Sequence, residues 1–215
     1  MKKTLIPFCF IMFSIGLYGQ NSDDLSRLEK APEISSLYKS ALHYVLLYEN
    51  DVDSLTKALN YIDRAIAIDP NISYSYLWKG EILFRIDKKE ESLNLFSSLC
   101  EKEDCIYPTL FLTGMLYEKT GAPQKALEYY NRALDKNTTA LKSTACSLKD
   151  FIYNLVIRYF IDGKTMSMDE VKSLLPNHLK NTNDKTIQTE VEKLYKNLDK
   201  ENYKNNLWNH NMMEY

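Results

Sequence analysis

The chain has 215 residues and a formal net charge of −2 at pH 7, from 27 basic and 29 acidic side chains. This near balance gives no electrostatic reason to expect a nucleic-acid partner. Glycine and proline are scarce, at six residues each, which argues against a fold built on many tight turns and favours helix. The 16 tyrosines are compatible both with packing between helices and with contacts to a bound peptide.

The N-terminal segment, residues 1–19, has the pattern of a secretory signal peptide. Lys2 and Lys3 precede a mostly apolar run over residues 5–17, and polar residues follow from Gln20. The alternative is a membrane anchor, but this run is shorter than the roughly 20 residues that a membrane-spanning helix needs. We therefore expect cleavage near Gly19 and an exported bacterial protein, periplasmic or secreted, that keeps no stable membrane insertion.

Two cysteines stand close together between two predicted helices. Cys100 and Cys105 could close a short loop through a disulfide in an oxidising compartment. Alternatively, all three cysteines that follow the signal segment, Cys146 included, are small buried apolar residues. Cys146 is the one expected to be a free thiol if the other two are bridged. No cysteine or histidine has the spacing of metal ligands, so we expect no metal and no cofactor.

Three segments of the chain repeat one pattern at a constant interval. The period is about 34 residues, which is typical of repeats that stack into solenoids. Each segment has a small residue, a large residue four positions later, and a small or aliphatic residue after three more positions. In chain order these triplets are Ala58, Ile62 and Ala65; Ser92, Phe96 and Leu99; Ala126, Tyr130 and Ala133.

Further residues of the pattern recur at the same interval. Gly80 and Gly114 are one period apart, and each stands twelve positions before the small residue of its segment. The third segment adds Tyr117 and Gly121, and the first ends on Asp69 and Pro70.

This framework resembles that of the tetratricopeptide repeat family. The resemblance covers about residues 35–138 and implies an all-α fold, an α-α superhelix made of antiparallel helix pairs. The three units are expected at about residues 35–70, 73–106 and 107–140, after a lead segment at 20–34. In that family, the small residues let the two helices of a unit approach closely, and the large residue fills the gap to the next unit.

Local signals mark the ends of several predicted helices. Asp53 or Ser54 can cap the second helix of the first unit, Gly121 can end a helix, and Pro123 can open the next. If Ala41 and Tyr44 are the small and aromatic residues of the first helix, about five extra residues fall in the loop around residues 49–54.

The pattern changes after the third unit. Residues 141–161 are predicted to form one long helix that Asp162 and Gly163 end, and Ser167 and Glu170 form a capping box for a short helix before Pro176. Residues 139–180 would thus be a degenerate fourth pair, and 184–204 a capping helix. The tail at 205–215 either folds back on the repeats or is offered to a partner.

The resemblance also implies a peptide-binding groove lined by the first helices of the units. The residues at the corresponding positions are Tyr38, Leu42, Val45, Tyr74, Leu77, Glu81, Phe84, Arg85, Pro108, Phe111, Met115, Glu118 and Lys119. This set has only two basic residues, and it lacks the cluster of lysines and arginines by which some family members hold a C-terminal carboxylate. An extended or helical peptide with apolar side chains would suit it better. Alternatively, the C-terminal helices cover several of these residues.

No arrangement of residues in the sequence points to catalysis, so we expect that the protein is not an enzyme. The expected function is that of an exported protein–protein interaction module, acting as a scaffold or chaperone for another envelope or secreted protein. The alternative is an immunity-type protein or inhibitor that blocks a toxin or an enzyme. The sequence does not predict the identity of the partner or the oligomeric state.

Overall fold

The structure is a computed structural model that describes residues 31–47, 51–179 and 184–197. Across these ranges the regular elements are nine α-helices and one 3-10 turn, which confirms the predicted all-α class. The described residues form two compact units, one ending at Leu99 and the other beginning at Cys100. The predicted signal peptide, the lead segment up to residue 30, part of the extra loop (48–50), residues 198–204 and the tail lie outside the described residues.

The first unit contains two helical hairpins. Its helices are α1 (Pro32–Leu47), α2 (Val52–Ile68), α3 (Ser73–Arg85) and α4 (Lys89–Cys100), the last of which ends at the unit boundary. Helix α2 begins earlier than the sequence predicts, because Asp51 is its cap: the carboxylate accepts a hydrogen bond of 2.9 Å from the Ser54 backbone N–H. The prediction that Asp53 or Ser54 caps this helix is therefore wrong.

Small residues bring the helices of the first unit together. Ala41, Ala58 and Ala65 are fully buried in one apolar core with Ile62. In the second hairpin, a Cβ atom added to Gly80 would lie only 2.7 Å from Cζ of Phe96. The ring of the large residue thus occupies the space that the missing side chain leaves within the same hairpin, whereas the family resemblance implied that this residue fills the gap to the next unit.

The second unit contains a third hairpin and the C-terminal helices. Its elements are α5 (Tyr107–Lys119), α6 (Pro123–Ala140), α7 (Leu148–Asp162), α8 (Met168–Leu174), the 3-10 turn Asn177–Leu179 and α9 (Asp184–Asn197). In the third hairpin, Tyr130 packs on Gly114 as Phe96 packs on Gly80, since an added Cβ would lie 2.6 Å from Cδ1 of Tyr130. Gly121 follows α5 with a φ of 82° and Pro123 opens α6.

The long helix predicted over residues 141–161 is shorter in the structure. Helix α7 begins only at Leu148, because Ser147 and Asp150 form a capping box: the Asp150 carboxylate accepts from the Ser147 backbone N–H at 2.7 Å. Residues 141–147 are a turn segment between α6 and α7. The helix ends at Asp162, and Gly163 adopts the left-handed conformation with a φ of 70°.

The last helices share one apolar core. Phe151 and Leu155 of α7 pack with Val171 of α8, and Ile187 and Val191 of α9 complete the cluster. The capping box of Ser167 and Glu170 opens α8. No helix among the described residues has both the length and the apolar character needed to cross a bilayer.

Candidate peptide-binding surfaces

In the first unit, most of the predicted groove residues are not open to solvent. Leu77 and Phe84 of α3 are buried, and only 5% of the Arg85 side chain is exposed. Val45 is also buried, and the Tyr74 side chain lies outside the described residues. The groove residues of this unit with intermediate exposure are Tyr38, Leu42, Glu81 and, for the residue as a whole, Arg85.

Tyr38 connects the first helices of the two hairpins in this unit. Its hydroxyl shares a hydrogen bond with the Ser75 hydroxyl of α3. Its ring meets the Trp78 ring edge-on, with 6.4 Å between the ring centroids. Tyr38 therefore has a packing role, whatever further contacts its exposed surface makes.

Glu81 and Arg85 form a partly buried ion pair one helical turn apart on α3. The Oε1 atom of Glu81 lies 3.7 Å from Nη1 of Arg85, and 18% of the Glu81 side chain is exposed. This oxygen accepts no hydrogen bond within the described part of the chain. Burial raises the pKa of Glu81 to about 7, although the Arg85 charge acts in the opposite direction. The carboxyl group thus changes its charge near neutral pH.

In the second unit, the chain itself covers the predicted groove. Phe111 and Met115 are each only 2% exposed. The centroid of the Phe111 ring lies 4.9 Å from the centroid of the Phe160 ring and 6.2 Å from that of the Tyr153 ring. Phe160 and Tyr153 both belong to α7. The expectation that Phe111 and Met115 face an open groove is therefore wrong. The alternative, in which C-terminal helices cover these residues, agrees with the structure.

The remaining groove residues of the third hairpin differ in exposure. Pro108 is buried, whereas Lys119 at the end of α5 is exposed. Glu118 has intermediate exposure, and its carboxylate accepts a hydrogen bond of 2.7 Å from the Tyr130 hydroxyl. Accessible surface at the predicted groove positions of this unit is thus limited to Glu118 and Lys119.

The first and third hairpins each contain a stacked tyrosine pair that joins the two helices of that hairpin. The sequence pattern did not predict these pairs. Tyr44 stacks on Tyr61 with ring centroids 5.9 Å apart, and Tyr117 stacks on Tyr129 at 5.2 Å. These pairs explain part of the high tyrosine content through packing between the two helices of a hairpin.

A cation lies over each ring of these pairs. The four contacts are Lys57 over Tyr44 at 5.6 Å, Arg64 over Tyr61 at 5.8 Å, Lys125 over Tyr117 at 5.2 Å and Arg132 over Tyr129 at 4.9 Å. The members on the second helices of the two hairpins stand at equivalent positions, two repeat periods apart in the sequence. A search for the same period among charged and aromatic residues would have found them.

Cys100 and Cys105 are both buried free thiols. The neighbouring Cys105 thiol lowers the pKa of Cys100, and burial opposes this effect. The Cys100 backbone carbonyl accepts from an Nη atom of Arg132 at 2.7 Å, and the sulfur lies 3.2 Å from the Thr113 hydroxyl. A disulfide between these residues remains a prediction, and Cys146 is also a buried free thiol.

Among the described residues, no group of three or more His, Cys, Asp or Glu side chains could hold a metal ion.

Comparison with known proteins agrees with the repeat unit that the sequence predicts at the third hairpin. The sequence model of the tetratricopeptide repeat family matches residues 107–135. A TPR repeat-containing protein of Methanocaldococcus jannaschii is 24% identical over 130 residues, which are 60% of this chain and 22% of that protein. The chain thus spans only about a fifth of the length of this relative. No solved structure matched the chain. Residues 107–135 are thus similar to a tetratricopeptide repeat, and the helix pair α5–α6 and the close contact of Gly114 with Tyr130 agree with this similarity.

Proposed function

We propose that this protein is an exported interaction module that holds another polypeptide, as a scaffold or chaperone for an envelope or secreted protein. The observation that carries the proposal is the tetratricopeptide repeat at residues 107–135, since such repeats generally bind protein partners and are not catalytic. The fold alone does not imply a particular partner. Export is supported by the apolar N-terminal segment behind Lys2 and Lys3.

The contact surface that we propose lies on α1. Tyr38 and Leu42 occupy groove positions and keep part of their surface exposed, whereas Phe111 and Met115 are covered by the chain itself. An aromatic and an aliphatic side chain one helical turn apart would suit apolar residues of a bound peptide.

Site-specific photocrosslinking in the native envelope tests this surface. A photoreactive amino acid replaces Leu42 in one variant and Leu59 in a matched control, because both leucines are half-buried and Leu59 lies on α2. We expect one polypeptide to be crosslinked from position 42 and not from position 59. Equal crosslinking from both positions, or none from either, would contradict the assignment of the α1 surface.

The export part of the proposal is tested separately. Cell fractionation should place the protein beyond the inner membrane, and the N-terminal sequence of the mature chain should begin near Gln20. A chain that retains Met1 and stays in the cytoplasmic fraction would show that export is wrong, without affecting the interaction surface.

A further inference from the structure

The second unit contains a cleft of about 630 Å³ at the end of α6, beside α7 and α8. Its volume lies within the range of small-ligand sites, about 300–1,000 Å³. Aliphatic side chains line part of it, including Leu141, Leu174 and Pro176. Its polar lining includes Arg158, Lys142 and the hydroxyls of Thr138, Thr144 and Ser173. None of these positions belongs to the groove that the repeat pattern predicts.

A chain of buried hydrogen bonds leads to this cleft. Asn137 is fully buried and Asn154 is 2% exposed. The Asn137 amide donates to the Asp150 carbonyl at 3.1 Å, and the Asn154 amide donates to Oδ1 of Asn137 at 2.7 Å. Oδ1 of Asn154 then accepts from Nε of Arg158 at 2.8 Å. Buried amides among helices are costly unless they are paired, so this network fixes the direction of the guanidinium group.

The cations of the cleft lack carboxylate partners within the described residues. Arg158 makes its one hydrogen bond there through Nε, which leaves its Nη groups without an acceptor. Lys142 forms no ion pair in the same ranges, and none of the side chains that line the cleft is acidic. A guanidinium held through Nε presents two Nη donors, an arrangement that matches the two oxygens of a carboxylate.

We propose that this cleft binds a carboxylate that carries an aliphatic group. The carboxylate pairs with Arg158 and Lys142, and the aliphatic group lies against Leu141 and Leu174. Because cations and leucines line one small cavity, the ligand must have both groups close together. A free short-chain aliphatic acid has this chemistry, and so does a peptide that ends in an apolar residue. A bare inorganic anion would leave the aliphatic lining unused.

Nuclear magnetic resonance titration of the full chain tests the site through the Nε–H signal of Arg158. The probes are hexanoate, hexanamide, N-acetyl-leucyl-leucine as the free acid, and inorganic phosphate. We expect hexanoate or the free-acid peptide to shift this signal, and hexanamide to bind at least about tenfold more weakly because it has no charge. The tighter of the two carboxylates identifies the source of the ligand. Phosphate binding as tightly as either carboxylate would overturn the proposal, as would equal binding of hexanamide.

Substitutions separate the role of Arg158 from general charge. Arg158→Gln should weaken carboxylate binding about tenfold or more, and Arg158→Lys should weaken it as well because the paired donors are lost. Arg64→Gln is the control, since Arg64 is an exposed arginine of the first unit. If Arg158→Gln does not fold, the exposed Lys142→Gln gives the same test. A control variant that loses as much affinity as the cleft variants would overturn the proposal. These results are independent of crosslinking at Leu42.

Discussion

The second and third hairpins share one framework but differ at the positions that would face a ligand. In both, a large ring of the second helix packs on a glycine of the first: Phe96 on Gly80 and Tyr130 on Gly114. At equivalent positions one repeat period apart, however, the second hairpin has Glu81 where the third has Met115. The contacts that define the repeat therefore do not determine which residue types occupy its groove positions.

As a consequence, the groove positions of the two hairpins are buried in different ways. In the third, Phe111 packs against Phe160 and Tyr153 of α7, so an aromatic cluster closes the face. In the second, a carboxyl group with a raised pKa is held beside Arg85. One hairpin is thus closed by apolar packing and the other keeps an ionisable group, and mutations can test each half of this comparison.

The largest effect is expected for Phe111→Ala. Removing this ring leaves a cavity in the aromatic cluster of the second unit, and we expect a loss of about 3–5 kcal/mol in the free energy of unfolding. Denaturant titration measures the loss. Lys119→Ala, on the exposed end of the same helix, is the control and should change stability by less than about 0.5 kcal/mol. A small loss for Phe111→Ala would mean that the third hairpin is open after all.

The next effect is a pH dependence caused by Glu81. In the unfolded chain this group titrates near its ordinary pKa of 4.5, and in the folded chain near 7. Between these values the folded chain keeps a proton that the unfolded chain has lost. Stability is therefore full below about pH 4.5, falls as the pH rises to about 7, and is then constant. Because the side chain is 18% exposed, we expect a loss of about 2–3 kcal/mol.

Glu81→Gln provides the control for this pH dependence, because it keeps the shape of the side chain and does not ionise. Thermal unfolding of both proteins between pH 4.5 and 8 gives the comparison. The fall in stability should be smaller in the variant by the contribution of Glu81. Identical curves would show that Glu81 is not the group that titrates.

A smaller effect is expected when a methyl group is added at the framework glycines. Gly114→Ala places Cβ 2.6 Å from the Tyr130 ring and 3.1 Å from the Ala126 carbonyl oxygen, so the helices must separate. We expect a loss of about 1–3 kcal/mol. Gly80→Ala should reduce the free energy of unfolding by less. Its closest contacts are all with the Phe96 ring, which is a side chain and can shift, whereas Gly114 also faces a backbone oxygen. Chemical denaturation of both variants tests the order, and a larger loss at Gly80 would contradict it.

The smallest effect concerns the turn after the first helix of each hairpin. Asp87 has a φ of 65° at the position where the third hairpin has Gly121, with a φ of 82°. Asp87→Gly removes the cost of a left-handed conformation. It also raises the conformational entropy of the unfolded chain and removes the ion pair with Lys89, and both of these changes reduce stability. We expect a net gain of about 0.5 kcal/mol in the free energy of unfolding, measured by denaturant titration. Gly121→Ala, measured in the same way, should reduce stability.

The repeat framework could be predicted from the sequence because it depends on local residue size at a fixed period. Gly80 and Gly114 mark where two helices approach closely, and few other residue types would fit there. Such constraints leave a periodic pattern in a single sequence.

The residues that pack against the predicted groove positions could not be predicted in the same way. The pattern of α7 shows that it has an apolar face, but not that Phe160 packs on Phe111 rather than leaving a groove. The apolar periodicity of residues 141–161 does not show where α7 begins, because the capping box of Ser147 and Asp150 lies within it. Likewise, nothing in the spacing of Asn137, Asn154 and Arg158 shows that they form one network, since it connects two helices.

A double-mutant cycle on Phe111 and Phe160 tests most directly whether α7 closes the third hairpin. The free energy of unfolding is measured for Phe111→Ala, Phe160→Ala and the double variant. If the rings are in contact, at 4.9 Å between centroids, the losses should be non-additive by about 1 kcal/mol or more. Losses that add to within about 0.3–0.5 kcal/mol would contradict this contact and return Phe111 to the list of candidate binding residues.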